Sequence, residues 1–322
     1  MTRTLLAALL AALSTLAQAQ DPAASYPSKQ IRLVVGFAPG GATDIVARLV
    51  AQKLQEAWGQ PVVVDNKPGG GSNIGGEFVA KAAPDGYTLL LGTIANATNM
   101  SIYKDMPYDT LRDFAPITQT MSAPSVLVVS PSVPAGNLKE LIALAKAQPG
   151  KLTYASSGAG GSPHLAGELL KMRGGIDIVH VAYKGAAPAL VDVVSGTVTM
   201  GFKTALSAIP HMQTGKLKPI AVAATKRLPA IPNVPTMAEA GLPDFEVSSW
   251  NGVLAPAKTP PAIVAKLHRE IVRILGLEDV KKNFAAQAAE PVGNTPEQFR
   301  AYIQAEITKW AQVVKASGAK IE

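Results

Sequence analysis

Two glycine-rich turns carry the residues whose types and spacing could do chemistry. The first reads Gly36-Phe-Ala-Pro-Gly-Gly-Ala-Thr-Asp44 and the second Ser156-Ser-Gly-Ala-Gly-Gly-Ser-Pro-His164. Each follows a short apolar run of strand type and precedes apolar residues at helical spacing. Glycine lets backbone N–H groups come close to a ligand, and a helix start adds unpaired donors and the positive end of a dipole. An oxygen-rich anion is the natural guest. Ligands of open parallel sheets bind outside the carboxyl ends of the strands, so the two turns are expected to face each other across a cleft. Each donor to an ionised acceptor contributes about 1.5–3 kcal/mol, so a few suffice for micromolar affinity. Either turn taken alone could equally be ordinary tight strand-to-helix joining.

Other chemistries fit less well. Gly36-x4-Gly41-Ala42-Thr43 has the phosphate-loop spacing, but Ala42 stands where the phosphate-binding lysine is required, and Asp44 would repel a polyphosphate. The dinucleotide pattern fails as well, because Pro163 occupies the third glycine position after Gly158 and Gly160. No Gly-x-Ser-x-Gly elbow occurs. Ser162 and His164, two residues apart at a helix start, do not face one another as nucleophile and base. His180, His211 and His268 are isolated, without paired spacing for a metal. Asp44 is the only acid inside a glycine turn; it is expected either to bond backbone donors or ordered water beside a ligand, or simply to favour a helix first turn.

Strand and helix patterns alternate around these turns. Strands are expected at Ile31–Val35, Val62–Val64 and Tyr87–Leu91, with helices through Ile45–Leu54 and Asn73–Ala82. A second unit starts near Val126–Val129 and continues through a helix at Leu138–Ala145 and the strand Leu152–Tyr154. A helix through Leu165–Leu170 follows, then strands near Val179–Tyr183, Val198–Phe202 and Ile220–Ala223. Pro229 to Pro243 is too proline-rich for a helix or a central strand. Val247–Leu254 reads as extended, and two amphipathic helices close the chain, through Ile263–Ile271 and Phe299–Val314. Such alternation predicts a mainly parallel sheet covered on both faces. The simplest architecture is two doubly wound α/β lobes, residues 26–124 with 247–322 and residues 125–246. The chain would cross between them near 123–126 and return near 245–248.

Composition narrows the function classes. The chain has 30 Lys and Arg against 23 Asp and Glu, a net charge of +7 that favours small anions. The basic residues are scattered and aromatics are only 5%, which argues against nucleic acid. Cysteine is absent, which removes disulfides, thiolate metal sites and cysteine nucleophiles together. Residues 1–19 have an early Arg3, an apolar run from Leu5 to Leu16 and the small-x-small site Ala17-Gln18-Ala19, as in a secretory leader. With no second long apolar run, the processed chain is expected to be soluble and outside the cytoplasm.

The motifs occur in a combination that resembles a known family. Phe37-x-Pro-Gly-Gly-x-x-Asp44, Asn66-Lys-Pro-Gly-Gly-Gly and Pro84-Asp-Gly-Tyr-Thr-Leu89 come first in order. Ser157-x-x-Gly-x-Ser-x-His-Leu-x-x-Glu168, Tyr183-Lys-Gly185 and Pro235-Thr-Met-x-Glu-x-Gly241 follow. Together they are similar to the Bug-type receptors, the extracytoplasmic solute receptors of tripartite tricarboxylate transporters, over essentially the whole chain beyond the leader. The resemblance implies a type II periplasmic-binding-protein fold and a periplasmic, monomeric receptor that needs no cofactor or metal and catalyses nothing. It also implies delivery of a small organic carboxylate to the membrane permease subunits. By that resemblance, Phe37, Ala38, Gly40, Gly41, Thr43 and Asp44 form one jaw on a ligand carboxylate. Ser156, Ser157, Gly158, Gly160 and Ser162 form the other, and His164 is expected as a helix first-turn residue that donates to a neighbour or lines the cleft. The far end of the ligand would meet the stretch Thr93–Asn99, Tyr183 and the stretch Phe202–Thr204 with Lys203, and Thr93, Tyr183 and Lys203 are the candidate contacts. Two departures stand out: Met100 follows Asn99 where proline is usual, and Lys203 replaces an aspartate common among relatives. A Lys203 facing the cleft would favour a second carboxylate and disfavour an amino group; the alternative is a lysine extended to solvent. The competing functional classes are an ester or phosphate hydrolase using Ser162 or Asp44, and a ligand sensor for a signalling partner.

Overall fold

The computed structural model describes residues 23–286 and 288–317; the leader expected at residues 1–19 lies outside them. The chain opens with β1 (Ile31–Val35), α1 (Ala42–Trp58) and β2 (Val62–Asn66), then α2 (Asn73–Ala80), β3 (Thr88–Thr93) and α3 (Ile94–Ile102). β1 pairs in parallel with both β2 and β3. Helices cover both faces of this parallel group, which is why Ile31, Leu33, Val34 and Val35 are all buried. α1 turns Val46, Val50 and Leu54 to the sheet and stops at Gly59, whose φ of 65° ends the helix in the left-handed region.

After the short α4 (Thr110–Asp113) comes β4 (Phe114–Val129), a 16-residue strand. The second group follows as α5 (Leu138–Ala147), β5 (Thr153–Ser156), α6 (Ser162–Gly174), β6 (Val179–Ala182) and α7 (Ala186–Ser195). Next are β7 (Met200–Thr204), α8 (Ala205–Gln213) and β8 (Lys218–Val222). The return strand β9 (Ser248–Pro256) leads to α9 (Pro261–Leu275), α10 (Glu278–Ala286), β10 (Glu290–Pro291) and α11 (Pro296–Ser317). The strand order is β2-β1-β3-β9-β4-β7-β5-β6, with β8 and β10 also bonded to β4.

The sheet is mixed rather than mainly parallel. β1, β2 and β3 are parallel to one another, as are β5, β6 and β7. The centre is antiparallel, because β4 leaves the first group and β9 returns to it in the opposite sense, side by side from Phe114↔Pro256 to Pro124↔Ser248. Sequence periodicity starts the second unit only at Val126 because Pro116 and Pro124 interrupt the preceding run. Proline cannot donate to a ladder, and the register does shift between Pro116 and Thr118. Where the chain crosses, Ser125 N–H donates to the Val247 carbonyl (3.0 Å) and Val247 N–H to that of Ala223 (3.1 Å). α3, α7, α8 and α10 have no counterpart in the sequence reading.

The last helix fixes the return strand. Trp250 of β9 is fully buried, edge-on to Phe299 with ring centroids 5.6 Å apart. Its indole N–H and that of Trp310 both donate to Glu306 Oε2, at 3.2 and 3.0 Å. α11 also packs on α3, β4 and α6, so it touches both strand groups. Replacing Glu306 by Leu leaves two buried indole donors unpaired. Each costs about 1–3 kcal/mol. Urea denaturation of Glu306→Leu is expected to show a loss of at least that size; unchanged stability would contradict the paired role of this carboxylate.

Candidate functional site

The first glycine turn becomes a corner because of Asp44. Gly40, at φ 86°, donates its N–H to Asp44 Oδ2 (2.9 Å), and Arg48 Nε, one helical turn on, donates to the same oxygen (2.9 Å). Oδ1 accepts from Arg48 Nη2 and Asn66 Nδ2, each at 3.0 Å. Asn66 also donates to the Phe37 carbonyl at 2.9 Å. Burial by itself raises the Asp44 carboxyl, but the bonds from Arg48, Gly40 and Asn66 outweigh it and hold the group below the usual carboxylate range. Asp44 is thus a spent charge that shapes the loop. Gly41 is the residue before α1 and provides no side-chain cap, so the first N–H groups of α1 stay open.

The second corner is built in the same way. Gly161 precedes α6 without a side-chain cap. The hydroxyls of Ser157 and Ser162 bond no other described residue. Behind this turn sits a polar layer: Ser156 Oγ lies 2.6 Å from His180 Nε2, and the His164 and His180 rings stack at 4.2 Å. His164 Nδ1 accepts from Gly160 N–H at 3.2 Å. Burial lowers both histidines, His180 to about 3, so they support the turn as neutral rings.

Each corner is also bonded to the opposite strand group. Ala38 N–H donates to the Lys184 carbonyl (2.9 Å), and Thr98 Oγ1 donates to that of Gly160 (2.5 Å). Both need glycine. A Cβ on Gly185, which sits at φ 155°, would lie 2.9 Å from Ala38 N, and one on Gly160 would lie 1.9 Å from Asn99 Oδ1.

Between the corners is a cavity of about 580 Å³, its open mouth included. Its wall contains the opening residues of α1 (Ala42), α3 (Ile94), α6 (Ser162) and α7 (Ala186), together with Thr204, the residue before α8. Five helix starts therefore meet at one small volume, and all but α3 lack a side-chain cap. Thr93 caps α3, with its side chain accepting from Ala95 N–H at 3.2 Å. Apart from Asp44, the only titratable residue on the wall is Lys203. It is 2% exposed, and burial lowers its ammonium to about 7.

Of the residues expected from sequence, Phe37, Ala38, Gly41, Thr43, Asp44, Thr93, Ser157, Ser162 and Lys203 line this cavity. Gly40, Ser156, Gly160 and His164 stand behind the wall and shape it. Gly158 and Tyr183 line an adjoining cavity of about 600 Å³, which shares Phe37 and Ser157 with the first. Tyr183 donates its hydroxyl to Asp192. Sequence reasoning missed Ala186 and Ser249. Gly185, already part of a quoted motif, was the available signal for Ala186. Nothing in the sequence marks Ser249, which arrives on β9 from far along the chain. The hydroxyl with a histidine partner is Ser156, fully buried and off the cavity, while Ser162 on the wall has none. Among the described residues no cluster of three or more His, Asp or Glu side chains could hold a metal, and no helix is long and apolar enough to cross a membrane.

Fold and site together define a cleft-type α/β binding protein, and comparison with known proteins supplies the family. The family described as "Tripartite tricarboxylate transporter family receptor" matches residues 46–319. Protein BugT of Bordetella pertussis is 41% identical over 300 residues, which cover 92% of each chain. The structure of R. palustris Rpa4515 with adipate is 38% identical with a TM-score of 0.89, covering 91% of this chain and 98% of that one. MatC (Rpa3494) from Rhodopseudomonas palustris, with bound malate, is 33% identical with a TM-score of 0.86, covering 90% and 100%. The chain belongs to the tripartite tricarboxylate transporter receptor family. Its fold is the type II periplasmic-binding-protein fold, two α/β lobes joined by two crossover segments.

Asp44 offers a direct test of the corner. Its pKa is lower in the folded chain than in the unfolded one. Its stabilisation is therefore complete above the unfolded value and lost as pH falls through the folded value. Asp44→Asn is expected to lower stability at neutral pH by about 1–3 kcal/mol. The gap from the wild type should close on acidification. Denaturation curves showing the same gap at neutral and strongly acid pH would exclude this role.

Proposed function

We propose that this chain is a periplasmic receptor that captures a small organic carboxylate between its lobes and delivers it to a tripartite tricarboxylate-type membrane permease. The observation that carries the reading is the convergence of helix starts, most of them uncapped, on one cavity whose single acid, Asp44, is already paired with Arg48. Such starts present unpaired N–H groups and positive dipole ends, which suit a carboxylate and need no metal. On this reading Phe37, Ala38, Gly41 and Thr43 hold the anion from one lobe, and Ser157 and Ser162 from the other. Thr93 and Lys203 meet the rest of the ligand. Gly40, Asp44, Ser156, Gly160 and His164 keep the corners in shape, and Gly158 and Tyr183 border the adjoining cavity.

The lobes on this reading are residues 26–124 with 247–322 and residues 125–246, the division would fall within β4, and the crossover at Ser125 and Val247 would serve as the hinge. The leader at 1–19 would direct export, after which the chain works as a soluble monomer. Adipate bound to Rpa4515 and malate bound to MatC support small carboxylic acids as the ligand class. A hydrolase is disfavoured because the cavity serine, Ser162, has no base beside it.

Thermal-shift titration with dicarboxylates, aromatic acids and acidic amino acids is the test. At least one acid is expected to raise the melting temperature without being consumed. Ser162→Ala and Thr43→Val should each weaken its binding about tenfold or more, the value of one bond to an ionised acceptor. A panel without any shift, or saturable hydrolysis abolished by Ser162→Ala, would overturn the reading.

A further inference from the structure

Lys203 is a charge that the fold leaves without a counter-ion. It lies on β7, is 2% exposed, and its side chain forms no hydrogen bond or ion pair with another described residue. The residue is part of the cavity wall, and its unpaired ammonium is not among the fully enclosed polar atoms. The stem folds back along the strand over Gly201. A Cβ at Gly201 would stand 3.1 Å from Lys203 Cε and 3.4 Å from Nζ, so the missing side chain at 201 makes the room for it.

The neighbouring acids are all committed elsewhere. Asp44, across the cavity, is saturated by Arg48, Gly40 and Asn66. Glu168 of α6 accepts from Tyr154 (2.7 Å) and Lys171 (3.3 Å), and Asp192 of α7 accepts from Tyr183. His164 of α6 and His180 of β6 are stacked on each other, and His211 of α8 has no bond to Lys203. Burial is the only influence on the Lys203 ammonium.

We propose that Lys203 sets the charge specificity of this site: it takes a second anionic group of the ligand, so that the chain selects a short dianionic acid and rejects one bearing an ammonium. This rests on the receptor reading above and adds the charge of the cargo. The helix starts offer dipoles enough for one carboxylate, whereas Lys203 adds a full charge from a separate strand. An unpaired buried ammonium is costly, and a ligand carboxylate supplies the missing partner. An amino group in its place would set two cations together. The same geometry links binding to a proton. In the empty site burial holds Lys203 near neutrality; a carboxylate beside it favours the charged form, so binding above neutral pH draws in a proton.

The experiment compares succinate, butyrate and aspartate by calorimetry on the wild type and on Lys203→Met. In the wild type, succinate should bind at least tenfold tighter than either of the others. Its affinity should fall as pH rises above about 7, with proton uptake seen as a heat that depends on the buffer. In Lys203→Met the succinate-to-butyrate ratio should collapse toward one and the pH dependence should flatten. The empty variant should melt no lower than the wild type, since a buried unpaired charge has been removed. An unchanged ratio in Lys203→Met overturns the proposal. So does loss of both acids together, which would place Lys203 on the first carboxylate. Wild-type protein that binds none of these three acids overturns the dianion proposal alone, and the receptor reading falls only if the wider panel above gives no shift, which separates the two failures.

Discussion

The structure depends on helix starts left open toward a shared interior volume. A helix normally closes its first N–H groups with a side-chain cap, and α3 does so through Thr93. α1, α6 and α7 begin instead after Gly41, Gly161 and Gly185, which have nothing to cap with. Open donors turned to water would be unremarkable. Turned to a cavity walled mostly by apolar and small residues, they form a region of positive potential whose stabilisation is deferred until an anion arrives.

Keeping these donors in place takes a rigid surround. Asp44 accepts four bonds and gives none of its charge to the cavity, so it can shape the first loop without repelling an anion. Ser156, His164 and His180 serve the second loop as a neutral stack. The contacts Ala38–Lys184 and Thr98–Gly160 then set the distance between the loops, and the glycines at 185 and 160 permit backbones to come that close. A small shift in either loop would move several donors at once, which is the coupling a closing cleft requires.

Much of this was legible in the sequence, for local reasons. The turns at 36–44 and 156–164 show themselves because glycine is nearly obligatory where backbone must approach a ligand, and Ile31–Val35 is apolar except at the exposed Arg32 because helices cover both faces of its sheet. β4 was only half visible, since Pro116 and Pro124 break its pattern while β9 sustains its pairing from far along the chain. α7 escaped because its start after Gly185 carries no side-chain cap signal, and α3 and α8, though preceded by Thr93 and Thr204, escaped because each is only nine residues long. Asn66 and Ser249 join the site through sheet order, which one-dimensional spacing does not encode. For Lys203, sequence left two orientations open, and the choice between them turned on Gly201 two residues earlier.

The central claim is that one anion engages backbone donors from both lobes at once. Amide resonances followed by nuclear magnetic resonance during titration with a carboxylate that binds would test it most directly. The account predicts that amides in 37–44 and in 157–162 shift together, with a single saturation curve. Shifts confined to one of these loops, with the other unmoved at saturation, would contradict it.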